Sequence, residues 1–173
     1  MAEKDILVGP MHETVDVFAF SKRAMLLGAR AYKEQFGLNS TFLILTNMYG
    51  PYDKFHPDES HVPAALMKKF VDAKMSNAPS VTCWGTGTPI REFLYVEDAV
   101  EAIYKATEVI DGLNPINIGT GIGTTIKELA ETIKDVVGYD GEIVWDISKP
   151  DGAMRKVLDI KKMKTKLNWK AKT

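Results

Sequence analysis

The sequence predicts an α/β protein, and three observations support that prediction. Helix-type and strand-type patterns alternate along the chain, as in folds where helices cover a largely parallel sheet. A helical pattern over residues 16–36 is followed by an apolar, β-branched run over 40–47, as in part of a β-α-β crossover. A second helical pattern over 126–137 is preceded by Thr125, and Glu128 lies three residues further on, which is the spacing of a capping box.

Composition narrows the class of protein. The 173 residues suffice for one domain or a little more, and the net charge of −1 gives no basic excess that would indicate nucleic-acid binding. No run of residues is as long and apolar as a membrane span. The single cysteine, Cys83, cannot form an internal disulfide and fits a reducing compartment, and the polar first residues carry no signal-peptide core. We therefore expect a cytoplasmic protein without nucleic-acid or membrane partners.

The first third of the chain predicts a loop, a helix and a strand. Residues 1–15 are expected to form the loop, and Gly37 is expected to end the helix over 16–36. The run 40–47 predicts a buried strand. The helix is predicted because apolar residues recur in it at steps of three or four, at Val17, Phe20, Ala24, Leu27 and Ala31.

The middle and last thirds continue the alternation. Residues 48–60 are expected to form a loop, and Ser60 is expected to cap a helix over 61–76 with Pro63 in its first turn. The predicted buried stripe of that helix is Val62, Leu66, Phe70 and Val71. Further along the chain we predict strands over 81–84, 91–96, 115–119, 141–146 and 155–159, helices over 97–109 and 126–137, and a short helix after 160.

A glycine loop follows the predicted strand 115–119. Gly119, Gly121 and Gly123 stand between a strand and a helix, as in a dinucleotide-binding fingerprint, but the spacing is G-x-G-x-G and not G-x-G-x-x-G. Asp140 follows about 20 residues later, yet it lies in a Tyr-Asp-Gly turn and not at a strand end. A plain strand-to-helix turn is the better interpretation.

Taken singly, the polar candidates admit ordinary structural roles. A lone Lys22 is typical of a protein surface, and Trp84 before a glycine turn is typical of a core. Arg91 begins a strand, so it could clamp a phosphate or cover a sheet edge. None of the histidines has metal-ligand spacing, so no metal site is expected at His12, His56 or His61.

Five longer stretches resemble the extended short-chain dehydrogenase/reductase superfamily, which includes the NAD-dependent epimerases and dehydratases of nucleotide sugars. They are "FAFSK", "LTNMYGPYDKFHPDESHV", "WGTGTPIREFLYVEDAV", "NIGTG" and "KPDGAMRKVLD". The resemblance runs from about residue 2 to the end. It is nearest to the branch that epimerises GDP-4-keto-6-deoxymannose at C3 and C5 and then reduces the 4-keto group with NADPH.

The resemblance also implies a division of the chain. Members of the superfamily are about twice as long, and their N-terminal half carries the nucleotide fingerprint, the catalytic serine and the epimerisation cysteine. The chain is therefore similar to a C-terminal half. Residues 1–50 would be the last helix–strand unit of a Rossmann-like NAD(P)-binding domain, and 51–173 would be mostly the smaller α/β domain that binds the nucleotide sugar.

The resemblance implies roles for particular residues. Lys22 corresponds to the lysine that binds the nicotinamide ribose and lowers the pKa of a catalytic tyrosine, and Phe18 stands at that tyrosine's position without its hydroxyl. His61 corresponds to a histidine that contacts the cofactor and acts as an acid in epimerisation. The nicotinamide end would be lined by Leu45, Thr46, Asn47 and Met48, and the substrate would be bound by Lys69, Trp84, Arg91 and Lys156, with Asp151 and Arg155 in the same motif as Lys156.

Three hypotheses follow. In the first, the chain is part of a nucleotide-sugar epimerase–reductase that uses NADP or NAD, and the part is inactive alone. An alternative within this hypothesis is the corresponding part of another NAD-dependent nucleotide-sugar epimerase or dehydratase. The second is a non-catalytic nucleotide-sugar-binding module or pseudoenzyme, favoured by the loss of the tyrosine. The third is an interaction role, in which the helix bearing Lys22 contacts a second copy in a homodimer or a missing N-terminal half.

Overall fold

The computed structural model describes residues 1–11, 15–56 and 59–173. The helices are α1 (Asp16–Phe36), α2 (Val62–Met75), α3 (Val96–Val109), α4 (Ile126–Val137) and α5 (Lys161–Leu167), and a 3-10 helix (Glu3–Leu7) precedes them. The strands are β1 (Thr41–Leu45), β2 (Asn47–Tyr49), β3 (Ser80–Trp84), β4 (Ile90–Arg91), β5 (Phe93–Tyr95), β6 (Gly112–Ile118), β7 (Thr124–Thr125), β8 (Glu142–Asp146) and β9 (Arg155–Lys156). Strand pairing is parallel in four of the five pairs, which confirms the α/β class.

The chain divides into two compact units that are interleaved in sequence. The first unit comprises Met1–Thr46, Glu97–Gly121 and Leu158–Thr173, and the second comprises Asn47–Val96 and Ile122–Val157. The chain passes from the first unit to the second between Thr46 and Asn47, and it returns to the first unit at Glu97–Gly121 and at Leu158–Thr173. The division into a cofactor-binding part over 1–50 and a sugar-binding part over 51–173 stays a prediction. Local patterns do not show which sheet a later strand joins.

In the first unit, β1 and β6 form a parallel pair, with α1 and α5 against β6. Buried Asn117 on β6 connects separate parts of the unit, because its side-chain amide donates to the carbonyl oxygens of Met1 (3.0 Å) and Asp159 (2.9 Å). The apolar interior of this unit includes Leu26, Ala99, Ala102, Ala106, Ile116, Ile118, Met163 and Leu167.

Helix α1 begins and ends as predicted, but the apolar residues whose spacing predicted it do not form its buried face. Gly37 ends the helix in the left-handed conformation (φ 70°), where its N–H donates to the carbonyl of Lys33. Phe20 and Leu27 are 62% and 53% exposed, whereas Leu26 is fully buried. Large apolar residues occupy more than one face of this helix, so the periodicity alone cannot select the face that contacts the sheet.

In the second unit, β3 pairs in parallel with β8, β2 pairs with β5, and β4 lies between β7 and β9. Helices α2 and α4 contact each other. Leu66 and Phe70 are buried as predicted, but Val62 and Val71 are exposed, and the shorter Ala64 and Ala73 are buried in addition. The core of this unit comprises Leu66, Phe70, Ala73, Val81, Cys83, Ala130, Ile133 and Tyr139.

The two predicted helix starts have different outcomes. Thr125 caps α4 as predicted: its hydroxyl accepts from the Glu128 N–H (3.0 Å), and its own N–H donates to the Glu128 carboxylate (2.8 Å). Ser60 is not the cap of α2, because His61 occupies that position and makes no side-chain cap. Pro63 lies in the first turn as predicted, and its fixed φ suits a helix that begins at Val62.

Several strands and loops also differ from their predicted bounds. The predicted strand 91–96 is interrupted at fully buried Glu92, so that β4 and β5 join different sheets. Strand β9 is shorter than the predicted strand 155–159, and the loops predicted over 1–15 and 48–60 contain the 3-10 helix and β2. Residues 12–14, including His12, and residues 57 and 58 lie outside the described residues. Within the described residues, no helix combines the length and apolar character that a membrane crossing requires.

Candidate functional site

A cavity of about 220 Å³ lies within the second unit, between the first turns of α2, the end of β3 and the loop that follows β8. Three residues predicted to bind substrate, Lys69, Trp84 and Arg91, come together in it from three elements. The full lining comprises Val62, Ala65, Leu66, Lys69, Cys83, Trp84, Gly87, Pro89, Arg91, Ile126, Pro150 and Asp151.

Trp84 presents its indole at the edge of this cavity and is flanked by two cations. It ends β3, where residues alternate between buried and exposed, and it is 64% exposed. The ammonium of Lys69 lies 5.3 Å from the indole centroid and that of Lys149 lies 5.6 Å from it. Lys69 also donates to the carbonyl of Thr82 (2.9 Å), which holds its side chain along β3. A flat aromatic surface beside two positive charges suits a planar ring that carries an anionic group.

Arg91 supplies a third positive charge. One guanidinium nitrogen donates to the carbonyl of Ile90 (3.0 Å) and another to the carbonyl of Asp151 (3.4 Å). Partial burial lowers the pKa of Arg91, and the Asp151 carboxylate opposes that change, so the group stays charged. A guanidinium has five N–H donors in a planar fork, so Arg91 can hold these carbonyls and still donate to a ligand anion.

Asp151 connects the loop after β8 to the turn after β3. Its carboxylate accepts from both the backbone N–H and the hydroxyl of Thr86, each at 2.8 Å. The Thr86 hydroxyl also lies 2.6 Å from that of Thr88. Gly85 has φ 77°, and a β-carbon there would lie 2.3 Å from the Asp151 carboxylate. Only glycine therefore allows the turn to approach Asp151 this closely.

Cys83 lines the cavity but is a poor nucleophile. Its side chain is buried, and burial raises the pKa of the thiol, with a smaller opposing effect from Lys69.

Other members of the predicted substrate site lie in β9. Lys156 pairs with Arg91 in register, and Arg155 pairs with Ile90, but both side chains are exposed and neither is part of the cavity lining. Sequence reasoning missed Thr86 and Lys149. The available signal was the paired glycine turn around Thr86 and the Lys-Pro-Asp run that begins at Lys149.

The predicted catalytic and cofactor residues are divided between the two units. The first unit contains Phe18, Lys22, Leu45 and Thr46, and the second contains Asn47, Met48 and His61. In α1 the Lys22 ammonium lies 5.1 Å from the centroid of the Phe18 ring, a cation–π contact between neighbouring turns.

The remaining members of this group lie at strand and helix ends. The N–H of Thr46, just after β1, donates to the carbonyl of Ile118 (3.2 Å), and the side-chain amide of Asn47 donates to the carbonyl of Glu92 (2.9 Å). His61 is exposed at the start of α2, where its carbonyl accepts from the N–H of Ala65 (2.9 Å).

The glycine loop after β6 is filled by protein side chains. A β-carbon at Gly121 would lie 2.8 Å from Ile160, and one at Gly123 would lie 2.6 Å from Ile90. These glycines therefore permit close packing, which supports a strand-to-helix turn and not a pyrophosphate site. Among the described residues, no group of three or more histidine, cysteine or acidic side chains is placed to hold a metal ion.

Comparisons with known proteins agree with this architecture. Residues 2–119 match the NAD dependent epimerase/dehydratase family. A probable GDP-L-fucose synthase 1 of Oryza sativa subsp. japonica is 45% identical over 98% of the chain, which covers 52% of that protein. A solved structure of a GDP-6-OMe-4-keto-L-xylo-heptose reductase from C. jejuni has a TM-score of 0.91 at 30% identity. The matched region covers 100% of this chain and 61% of the reductase chain.

A second solved structure, a GDP-L-fucose synthetase from Naegleria fowleri bound to NADP, has a TM-score of 0.90 at 29% identity and covers 95% of this chain and 53% of its own. The chain spans about half the length of the curated relatives it matches.

Proposed function

The chain belongs to the NAD dependent epimerase/dehydratase family, and we propose that it is the C-terminal, nucleotide-sugar-binding portion of an enzyme of the GDP-L-fucose synthase type. The reaction of the whole enzyme would be 3,5-epimerisation of GDP-4-keto-6-deoxymannose and NADPH-dependent reduction of its 4-keto group. The relatives at 40–45% identity that carry the name GDP-L-fucose synthase support the choice of a GDP-sugar.

The cavity of the second unit is the observation that carries this proposal. Lys69, Trp84 and Arg91 line it together, although they come from a helix and two separate strands. An exposed indole can stack on a nucleotide base, and a guanidinium that lines the same cavity as an ammonium group suits a diphosphate. All of these groups belong to one compact unit, the second, so the proposed contacts to base and diphosphate lie within that unit.

The proposed cofactor of the whole enzyme is NADP, with NAD as the alternative. Lys22, Leu45, Thr46, Asn47, Met48 and His61 are the residues of this chain proposed to contact it. When bound, NADPH would supply the hydride for the carbonyl reduction. The close-packed glycine loop offers no place for its pyrophosphate, so we do not expect tight binding of the cofactor by this chain alone.

A second candidate function is nucleotide-sugar binding without turnover. The observation that favours it is Phe18, whose ring lies under the Lys22 ammonium where the family has a tyrosine. A phenyl ring has no proton to donate to a carbonyl oxygen, so reduction would lack its acid. Under this pseudoenzyme hypothesis the cavity binds the nucleotide sugar and Lys22 has no catalytic role.

We also propose a cytoplasmic location and a homodimer, or an N-terminal half as partner. Support for the protein partner comes from α1, on which Val17, Phe20, Leu27 and Phe36 are exposed. Exposed apolar residues grouped along one helix are typical of an interface.

Isothermal titration of the purified chain with GDP, GDP-mannose, UDP-glucose and NADPH tests the binding proposal. We expect saturable binding of a GDP ligand and none of NADPH. Arg91→Ala should weaken GDP binding by about tenfold or more, because a charge-assisted hydrogen bond contributes roughly 1.5–3 kcal/mol. Arg30→Ala is the matched control, since Arg30 is an exposed arginine of the other unit and should leave the affinity unchanged. Absence of binding by every nucleotide, or equal losses in the two variants, would contradict the proposal.

A further inference from the structure

We propose that Asp151 is a positioning residue, which fixes the turn around Thr86 and the guanidinium of Arg91 so that the cavity is preformed for its ligand. This inference rests on the proposed nucleotide-sugar function of the same cavity. Asp151 is suited to the role because its side chain and its backbone hold two different elements: the carboxylate binds the turn after β3, and the carbonyl accepts from Arg91 on β4.

The carboxylate is occupied by Thr86 through both of its oxygens. One oxygen accepts from the Thr86 N–H and the other from the Thr86 hydroxyl, each at 2.8 Å. The hydroxyl is in turn 2.6 Å from the Thr88 hydroxyl, and the Thr88 N–H lies 3.2 Å from the Thr86 oxygen. The carboxylate therefore organises a hydrogen-bonded turn of three residues, in which the left-handed Gly85 leaves room for it.

The backbone of Asp151 carries the effect to Arg91. Its carbonyl accepts from a guanidinium nitrogen at 3.4 Å, while the carbonyl of Ile90 holds another at 3.0 Å. Fixing residue 151 through its side chain thus fixes one of the two carbonyls that orient the guanidinium. If the carboxylate were released, the loop after β8 would lose these hydrogen bonds to the turn, and they would no longer hold in place the Asp151 carbonyl that accepts from the Arg91 guanidinium.

If Asp151 is a positioning residue, Asp151→Asn should have little effect, whereas it should weaken binding if the carboxylate contacts the ligand directly. In Asp151→Asn the amide oxygen can still accept from the Thr86 N–H, and the amide NH₂ can donate to the Thr86 hydroxyl, which then donates to Thr88. The turn is kept although the charge is lost. In Asp151→Ala both hydrogen bonds are lost, and in Thr86→Ala the hydroxyl bond is lost.

The test is titration of GDP-mannose into the wild type, Asp151→Ala, Asp151→Asn, Thr86→Ala and the double alanine variant, with folding checked by circular dichroism. We expect Asp151→Ala and Thr86→Ala to weaken binding, by about three- to tenfold each. The double variant should be no worse than the more severe single variant, and Asp151→Asn should stay within about twofold of the wild type. Asp140→Ala, which removes an exposed carboxylate of the same unit, should have no effect.

A ligand-independent measurement accompanies the titration. The Nε–H resonance of Arg91, assigned with Arg91→Lys, should shift or broaden in Asp151→Ala and keep its position in Asp151→Asn. An unchanged Arg91 resonance in Asp151→Ala would overturn the inference. So would a binding pattern in which Asp151→Asn is as weak as Asp151→Ala while Thr86→Ala binds normally. Failure of the wild type to bind GDP-mannose would contradict the proposed function, and the resonance would still decide the role of Asp151.

Discussion

Phe18 and Lys22 form a cation–π pair, and we propose that the phenyl ring stands at the position of a catalytic phenol. On a phenol at this position the Lys22 ammonium would also lower the pKa of the hydroxyl, because a nearby positive charge favours the phenolate. Under this proposal the position keeps its neighbouring charge although the oxygen is absent.

Phe18→Tyr should create a phenol with a pKa below the usual value of about 10. The measurement is absorbance at alkaline pH, taken as the difference between the variant and the wild type so that the six native tyrosines cancel. The shift should be modest, because position 18 is 64% exposed and solvent screens the pair. Adding Lys22→Met should return the pKa toward its usual value; identical titrations with and without Lys22 would show that the ammonium does not act on this position.

The sequence predicted which residues belong to the candidate site better than it predicted which of them are in contact. The grouping of Lys69, Trp84 and Arg91 in one cavity followed from the resemblance, and the structure brings these three together. The bond between Asp151 and Thr86 could not be predicted, because it joins positions 65 residues apart, and nothing local to either residue indicates the other. Lys149 was missed for the same reason, since its proximity to Trp84 depends on the pairing of β3 with β8.

At the scale of elements, helix α4 shows a start that is fully specified by its own sequence. Thr125 and Glu128 exchange hydrogen bonds across the first turn, and these bonds lower the pKa of the Glu128 carboxyl from its ordinary value of 4.5. A carboxyl whose pKa is lower in the folded state than in the unfolded state stabilises the fold. The stabilisation is complete at pH values above the unfolded-state pKa, and it is lost as the pH falls through the folded-state pKa.

Thr125→Ala should therefore lower the free energy of unfolding at neutral pH, by about 1 kcal/mol as for other N-cap residues. The difference from the wild type should become smaller in acid, because protonated Glu128 no longer favours the capped state. Urea unfolding at several pH values between about 7 and 3 measures it. Glu128→Gln, which cannot titrate, should flatten the dependence of the free energy of unfolding on pH in this range, whereas the control Glu131→Gln should not. A difference between wild type and Thr125→Ala that stays constant across the pH range would contradict the assignment.

The elements whose predicted bounds failed are those set by tertiary pairing. The run 91–96 has a strand pattern throughout, but Glu92 is buried between β4 and β5, which join separate sheets. Helix α1 has the predicted ends, but the spacing of its apolar residues does not identify the face that is buried. Its ends depend on local backbone chemistry at Gly37, while its buried face depends on where the β1–β6 pair lies, and that pair is formed by strands far apart in sequence.

For the whole molecule, the outer face of α1 predicts association. Phe20 and Leu27 are both more than half exposed, and burying them against a partner would remove apolar surface from water. Sedimentation velocity over a range of concentrations should show an oligomer, and the double change Phe20→Glu with Leu27→Glu should shift the chain toward the monomer at equal concentration. Val136→Glu, at an exposed valine of α4, is the matched control and should leave association unchanged. A wild type that stays monomeric at the highest concentrations would exclude self-association through α1 and leave the N-terminal half as the proposed partner.

The α/β class and the order of elements could be predicted, but the interleaving of the two units could not. A strand pattern at 115–119 is the same whether the strand pairs with β1 or with a later strand, so the return of the chain to the first unit leaves no local signature. The pairing of β6 with β1 became visible only in the structure.

This interleaving has a consequence for synthesis on the ribosome. All segments of the second unit precede Leu158, so its strands and helices can assemble while the nascent chain is still growing. The first unit includes residues that precede the second unit, but it also needs Leu158–Thr173, in which the N–H groups of Lys172 and Thr173 donate to the carboxylate of buried Asp98. Helix α1 and β1 are therefore translated before the second unit, and their own unit is completed after it. Until then the apolar residues of α1 and β1 lack part of their packing, and such a surface would be a binding site for chaperones.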